Sequence, residues 1–297
     1  MNPPQPSSDL DLYSRTAAEA ASRVIREYST SFQLATRLLP GQQRADICTV
    51  YALVRVADEI VDGTAEEAGL GPDSRRSVLD ALEQETLTAL SSGFSANLIV
   101  HAFATTARRT GIEIPLITAF FTSMRRDLDP VTSLSEEQYR SYVHGSAEAV
   151  GLMCLRVFLQ EQHTTQEDLA ELENGARRLG AAFQKINFLR DIAEDAEHLG
   201  RCYFPGASRG ELSEQRKTAI VADVDADLHA AWKVIPQLPL PARRPTALAA
   251  ALFGELNERL RRTPAQQLLE QRVSVPSWVK IRLLASTVLS VQSGAAR

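Results

Sequence analysis

Two short stretches carry the same acidic spacing: Arg55-Val56-Ala57-Asp58-Glu59-Ile60-Val61-Asp62, and Asn187-Phe188-Leu189-Arg190-Asp191-Ile192-Ala193-Glu194-Asp195. Each sets two aspartates four residues apart, with a basic residue just upstream, inside a segment that otherwise reads as an apolar helix. Positions i and i+4 share one helical face, so Asp58 stands beside Asp62, and Asp191 beside Asp195. Like charges at that spacing repel, and buried carboxylates are costly unless something positive neutralises them. A hard divalent ion suits such donors. Mg²⁺, with Mn²⁺ as the alternative, completes its shell with water and substrate phosphate. Two such faces opposed across a bundle would make a metal–diphosphate site.

The neighbouring positions extend both faces. Tyr51, Arg55, Asp58, Glu59 and Asp62 fall at spacings of three and four, as do Gln184, Asn187, Asp191 and Asp195, with Arg190 at the edge. A helix face in a packed bundle should be apolar. The bland alternative is a solvated face with internal i,i+4 ion pairs, and for any single D-x-x-x-D it is the better reading. Here the flanks are apolar (Val54, Val56, Ile60, Val61; Ile186, Phe188, Leu189, Ile192), and the constellation occurs twice with amide and arginine partners. Both features favour the metal site.

The elements that must position these residues read as helices throughout. Ser8-Asp9 caps a helix running toward Tyr28, and a helix from about Gln42 to Gly63 carries the first acidic pair. Pro115 opens a helix through Phe120, Phe121 and Met124. Ser135 and Gln138 have capping-box spacing ahead of a helix through Tyr142 to Phe158. Thr165 to about Glu197 carries the second acidic pair. Breaks at Gly200–Gly210 and Pro236–Pro245 precede helical stretches at Thr246–Arg262 and from Pro276 to about Ser290. No period-2 strand pattern appears. The expected fold is all-α: one domain of many helices over residues 9–297, preceded by a disordered tail at 1–8.

The chain has 297 residues, 44% hydrophobic and 23% charged, ordinary for a soluble protein with a sizeable core. A net charge of −5 and the lack of a lysine/arginine-rich block argue against nucleic-acid binding. Cys48, Cys154 and Cys202 are isolated, without metal-ligand spacing, and suit a reducing cytoplasm. The N-terminus lacks the pattern of a signal peptide, and no run of about 18 apolar residues occurs. A cytoplasmic protein is expected, with a peripheral membrane contact left open and the oligomeric state not set.

The pattern Y-x-x-x-R-x-x-D-x-x-x-D, followed far downstream by Q-x-x-N-x-x-R-D-x-x-x-D, resembles the squalene and phytoene synthases, the trans-isoprenyl diphosphate synthases that act head-to-head. The resemblance covers most of the chain: Ser29-Thr30-Ser31-Phe32, Leu38-Leu39-Pro40, Met124 with Asp127-Leu128, Tyr142 through Gly151-Leu152-Met153, and Arg201-Cys202-Tyr203-Phe204-Pro205. It implies an isoprenoid-synthase bundle with a central cavity between the acidic helices, in which Asp58, Asp62, Asp191 and Asp195 bind Mg²⁺ and hold prenyl diphosphate substrates. Arg55, Asn187 and Arg190 would contact diphosphate. Ser29, Ser31 and Phe32 would close the mouth. Tyr51, Tyr142 and Gln184 would line the pocket near the carbocation. For each tyrosine, packing between helices with its hydroxyl bonded elsewhere is an equal alternative.

Two departures stand out. Gln33 follows S-x-S-F where the family often has an aromatic residue, and Glu148 replaces a small residue in the wall helix. The run Gly145-Ser146-Ala147-Glu148 resembles actinobacterial phytoene synthases. With no nucleotide motif and no C-terminal anchor like that of eukaryotic squalene synthases, the expected reaction converts two geranylgeranyl diphosphates to phytoene through a cyclopropyl diphosphate, without NADPH. Farnesyl diphosphate to dehydrosqualene, presqualene diphosphate or squalene is the alternative, as is a non-catalytic relative of the same fold. The histidines (His101, His144, His163, His198, His229) lack E-x-x-H pairing, which argues against a di-iron bundle. Trp232 and Trp278 are expected to pack, and Arg259, Arg261 and Arg262 to form a solvated helix end. Arg272 and Lys280 read equally as diphosphate contacts or as surface residues.

Overall fold

A computed structural model describes residues 8–129, 134–160, 162, 164–193, 203–205 and 211–290, with side chains as far as 287. Among the described residues there is no strand. The helices are α1 (Asp9–Tyr28), α2 (Thr30–Thr36), α3 (Gly41–Val61), α4 (Thr64–Glu67), α5 (Pro72–Ser92), α6 (Leu98–Thr110) and α7 (Ile114–Arg126). They continue with α8 (Glu136–Val143), a π-helical turn His144–Glu148, α9 (Ala149–Leu159) and α10 (Gln166–Arg190). The last four are α11 (Glu214–Val234), α12 (Leu240–Arg262), α13 (Ala265–Leu268) and α14 (Ser277–Ser290). No helix among the described residues is long and apolar enough to cross a membrane.

The caps explain many of these boundaries. Ser8 accepts from the Asp11 N–H, and Thr165 from the Asp168 N–H. Ser135 and Gln138 form the reciprocal capping box expected of them. Two expectations shift. Helix α12 starts at Leu240, not near Thr246, because Pro241 sits in the first turn, where a missing N–H costs no bond. Trp232 and Trp278 are 42% and 63% exposed rather than packed, and the Arg282 guanidinium lies 5.6 Å from the Trp278 ring centre. The helix end at Arg259–Arg262 is solvated as expected, with Arg261 on Asp225 and Arg262 on Glu258. Of the expected tail, residues 1–7 lie outside the described residues, as do His163, His198, Arg201 and Cys202.

Two apolar cores flank a central space. One gathers Leu53, Leu79, Phe103, Phe120, Phe121 and Met153 from α3, α5, α6, α7 and α9. The other gathers Ile186, Leu189, Val221, Val224 and Leu260 from α10, α11 and α12. Buried charge is paired: Lys185 of α10 reaches Asp223 and Asp227 of α11, and Arg178 bonds Asp227 at 2.8 Å.

The wall helix and α10 meet backbone to backbone. A Cβ on Gly151 would lie 2.5 Å from the Ala176 carbonyl oxygen, and one on Gly180 2.5 Å from that of Ala147. Gly254 in α12 has open space instead. Alanine normally improves a helix interior by up to about 1 kcal/mol over glycine. Gly254→Ala should therefore raise the thermal midpoint. Gly151→Ala should lower it, because overpacking there costs about 1–3 kcal/mol of stability. Calorimetry showing both variants stabilised would contradict this packing.

Candidate active site

Three helices end in aspartates at one cavity. Asp62 caps α3, Asp127 caps α7 and Asp191 caps α10. The N–H groups of Asp62 and Asp191 close the last turns on Asp58 and Asn187, each at 2.8 Å. A helix C-terminus carries about half a negative charge. Carboxylates placed there deepen the negative potential, and only cations relieve it. All three line a cavity of about 760 Å³, together with Asp58, Arg55, Gln184, Asn187, Arg190, Tyr51 and Tyr142.

On the first face, Asp58 is half-buried and Asp62 exposed. Burial pushes the Asp58 carboxyl well above the usual range; Asp62, Asp127 and Glu59 add to this, while Arg55 opposes it. Arg55 is itself engaged. Its Nε donates to Glu59 at 2.7 Å, and its guanidinium lies 4.6 Å from the Tyr28 ring centre.

On the second face, Asp191 is gripped by two arginines. Arg190 Nε and Arg272 Nε each reach Oδ1 at 2.8 Å, and Arg190 also bonds Oδ2. Helix α10 ends at Arg190, not near Glu197, so Asp191 sits at a helix end rather than within one. Asp195 lies outside the described residues. Arg272 and Lys280 both line the cavity, and Lys280 Nζ donates to Thr30 Oγ1 at 2.7 Å, tying α14 to α2 across the mouth. Sequence spacing could not place these two, because they come from a segment remote from either acidic pair.

Ser29, Ser31 and Phe32 lie at the cavity on α2 and its cap, where Ser29 Oγ accepts from the Phe32 N–H at 3.2 Å. Phe32 contacts Tyr51, Phe183 and Phe253, with ring centres 6.0, 5.8 and 5.5 Å away. Tyr142 is buried, and its hydroxyl donates to Asp127, at 2.9 Å to Oδ1 and 2.7 Å to Oδ2. Glu148 is spent on His144, at 3.0 Å, and lies off the cavity wall.

Away from the acids the lining turns apolar. Tyr142, Ser146, Val150, Cys154 and Phe158 form one stripe down the cavity, and Asn187, Phe183, Leu179, Ala176 and Leu172 form another. At a rise of about 1.5 Å per residue, the first stripe runs about 24 Å from Tyr142 to Phe158. Burial within this stripe pushes the Cys154 thiol up to about 12.

Among the described residues no three His, Cys, Asp or Glu side chains are already gathered to grip an ion. The donor chemistry nevertheless fits a hard dication: carboxylates in the last turns and at the C-termini of helices, with the Asp58 carboxyl pushed up by burial and by its acidic neighbours. The sign of the linkage follows. With its carboxyl raised in the folded state, Asp58 favours folding at low pH, and that contribution is lost as pH rises through the raised value. A dication binds only the ionised form. The Mg²⁺-induced rise in melting temperature should therefore grow as pH rises through that raised value and largely vanish in Asp58→Asn. A rise independent of pH would exclude Asp58 as a ligand.

The family model for squalene/phytoene synthase matches residues 25–279. The phytoene synthase of Mycobacterium tuberculosis is 27% identical over 288 residues, covering 90% of this chain and 89% of that protein. The 15-cis-phytoene synthase of a Paracoccus species is 29% identical over 293 residues, covering 93% and 90%. A bifunctional lycopene cyclase/phytoene synthase of Blakeslea trispora is 26% identical over 295 residues, 88% of this chain but 47% of that protein, so the chain spans about half its length. Among solved structures, a dehydrosqualene synthase in complex with ligand superposes with a TM-score of 0.76 at 21% identity, covering 96% of this chain and 100% of that one. A squalene synthase from Alicyclobacillus acidocaldarius gives 0.71 at 22% identity, covering 84% and 95%. These likenesses show that the helical bundle is the isoprenoid-synthase fold.

Proposed function

The chain belongs to the squalene/phytoene synthase family of prenyltransferases, and from that footing we propose that it joins two geranylgeranyl diphosphates head to head, ending in phytoene. The observation that carries the reading is one cavity with an acidic, arginine-edged mouth and a long apolar interior. Asp58, Asp62, Asp191 and Asp195 would hold Mg²⁺. Bound there, the ion would supply positive charge that stabilises the departing pyrophosphate.

The chain's own groups do the rest. Arg190 and Arg272, now on Asp191, and Arg55, now on Glu59, are the forked donors able to turn to diphosphate oxygens. Asn187 and Lys280 stand beside them. The apolar walls exclude water from the cation left when the allylic C–O bond breaks. The first product would be a cyclopropylcarbinyl diphosphate. Its ionisation and rearrangement, closed by proton loss, would need no reductant.

Length supports the longer substrate. Taking about 1.2 Å of advance per bond, as in an extended chain with three bonds per residue, a C20 prenyl chain spans about 18 Å and a C15 chain about 13 Å. The apolar stripe of about 24 Å takes the longer chain without crowding. On α14, exposed Trp278, Ile281 and Arg282 beside the mouth support a peripheral membrane contact. The test of the basic chemistry is pyrophosphate release from geranylgeranyl diphosphate by purified protein with Mg²⁺, lost on chelation. Release that survives chelation, or none in either arm, would remove the reading.

A further inference from the structure

Asp127 caps the C-terminus of α7 and is 7% exposed, an unfavourable place for a carboxylate against the helix dipole. Two phenols hold it. Tyr142 Oη donates to both of its oxygens, at 2.9 and 2.7 Å, and Tyr203 Oη donates to Oδ1 at 3.0 Å. The two rings stack with centres 5.0 Å apart, and Phe188 stacks on Tyr203 at 4.2 Å. Asp127, Tyr142, Tyr203 and Phe188 all line the cavity, on its buried side.

A phenol has one proton. Once that proton is committed to a carboxylate, its oxygen offers only lone pairs to anything else. A hydrogen bond to an ionised acceptor is also stronger than a neutral one and leaves the phenol oxygen richer in electron density. Beside a forming carbocation this is the useful polarity: two electron-rich oxygens and three stacked aromatic faces. Resting on the proposed reaction, we propose that Asp127 is the positioning residue of this wall: by taking both phenol protons it sets Tyr142 and Tyr203 as acceptor-only groups facing the cation.

Asp127→Asn separates this role from simple clamping of the Tyr203–Pro205 segment. The amide keeps the shape, but its NH₂ must donate to one phenol, which turns that phenol's proton away. The expected result is a kcat lowered about 10- to 100-fold and a broadened product mixture, with KM unchanged within about twofold. In a Tyr142→Phe/Tyr203→Phe background the same change should cost almost nothing further, because the groups it acts through are gone. Unaltered kcat and products in Asp127→Asn, or an equal loss in the double-phenylalanine background, would overturn the proposal. Should Asp127→Asn lose its helical signal, the double-phenylalanine variant decides alone, and a wild-type product profile from it would also overturn the role. Pyrophosphate release by the wild-type protein keeps the two questions apart. If it is absent, the reaction is wrong; if it is present with Asp127→Asn unaffected, only the role of Asp127 is wrong.

Discussion

Turnover in Asp58→Ala and in Asp191→Ala should fall at least about a thousandfold, with the circular dichroism of both variants unchanged. Neither side chain supports the fold. Burial raises the Asp58 carboxyl and its acidic neighbours add to this, so its removal relieves the free protein. Asp191 lies half-buried beyond the last turn of α10, its charge met by Arg190 and Arg272. What both would lose, under the proposed reaction, is the ability to organise cation and diphosphate at the mouth. Each diphosphate carries several negative charges, and two of them cannot be neutralised from one face alone. Steady-state pyrophosphate release reads the effect directly. A variant of either aspartate with wild-type turnover would show that its face is a solvated one.

Cys154→Trp should reverse the choice of chain length. Cys154 lies on the apolar stripe about 18 Å below Tyr142, the depth an extended C20 chain reaches and a C15 chain does not. An indole placed there fills the lower cavity. Geranylgeranyl diphosphate turnover should drop about 100-fold or more, while farnesyl diphosphate turnover changes less than about fivefold. The farnesyl arm is the internal control for folding. Equal loss with both substrates would mean that the chains do not lie along this stripe.

The helices, and the first acidic face, were legible because each carries its own periodicity, whereas Asp191 lies at a helix end and Asp195 outside the described residues. Asp58 and Asp62 need only the i,i+4 rule, and the box at Ser135–Gln138 needs only local capping chemistry. Less local features were out of reach. The Arg272 guanidinium that meets Asp191 at the end of α10 arrives from a distant segment. Asp127 stood within a recognised motif without a role, since its partners Tyr142 and Tyr203 come from 15 and 76 residues away. The exposed faces of Trp232 and Trp278 likewise follow from how α11 and α14 dock, which composition does not encode. Glu148 departed from the family pattern, yet His144, one turn earlier, draws it off the wall.

The most direct test of the account is the product itself. Purified protein with Mg²⁺ is given geranylgeranyl diphosphate or farnesyl diphosphate, each with and without NADPH, and the hydrocarbons are read by mass spectrometry. The account predicts a C40 hydrocarbon from geranylgeranyl diphosphate, formed equally well without NADPH and lost on chelation. A C30 product from farnesyl diphosphate with geranylgeranyl diphosphate inert, or a product that forms only with NADPH, would contradict it.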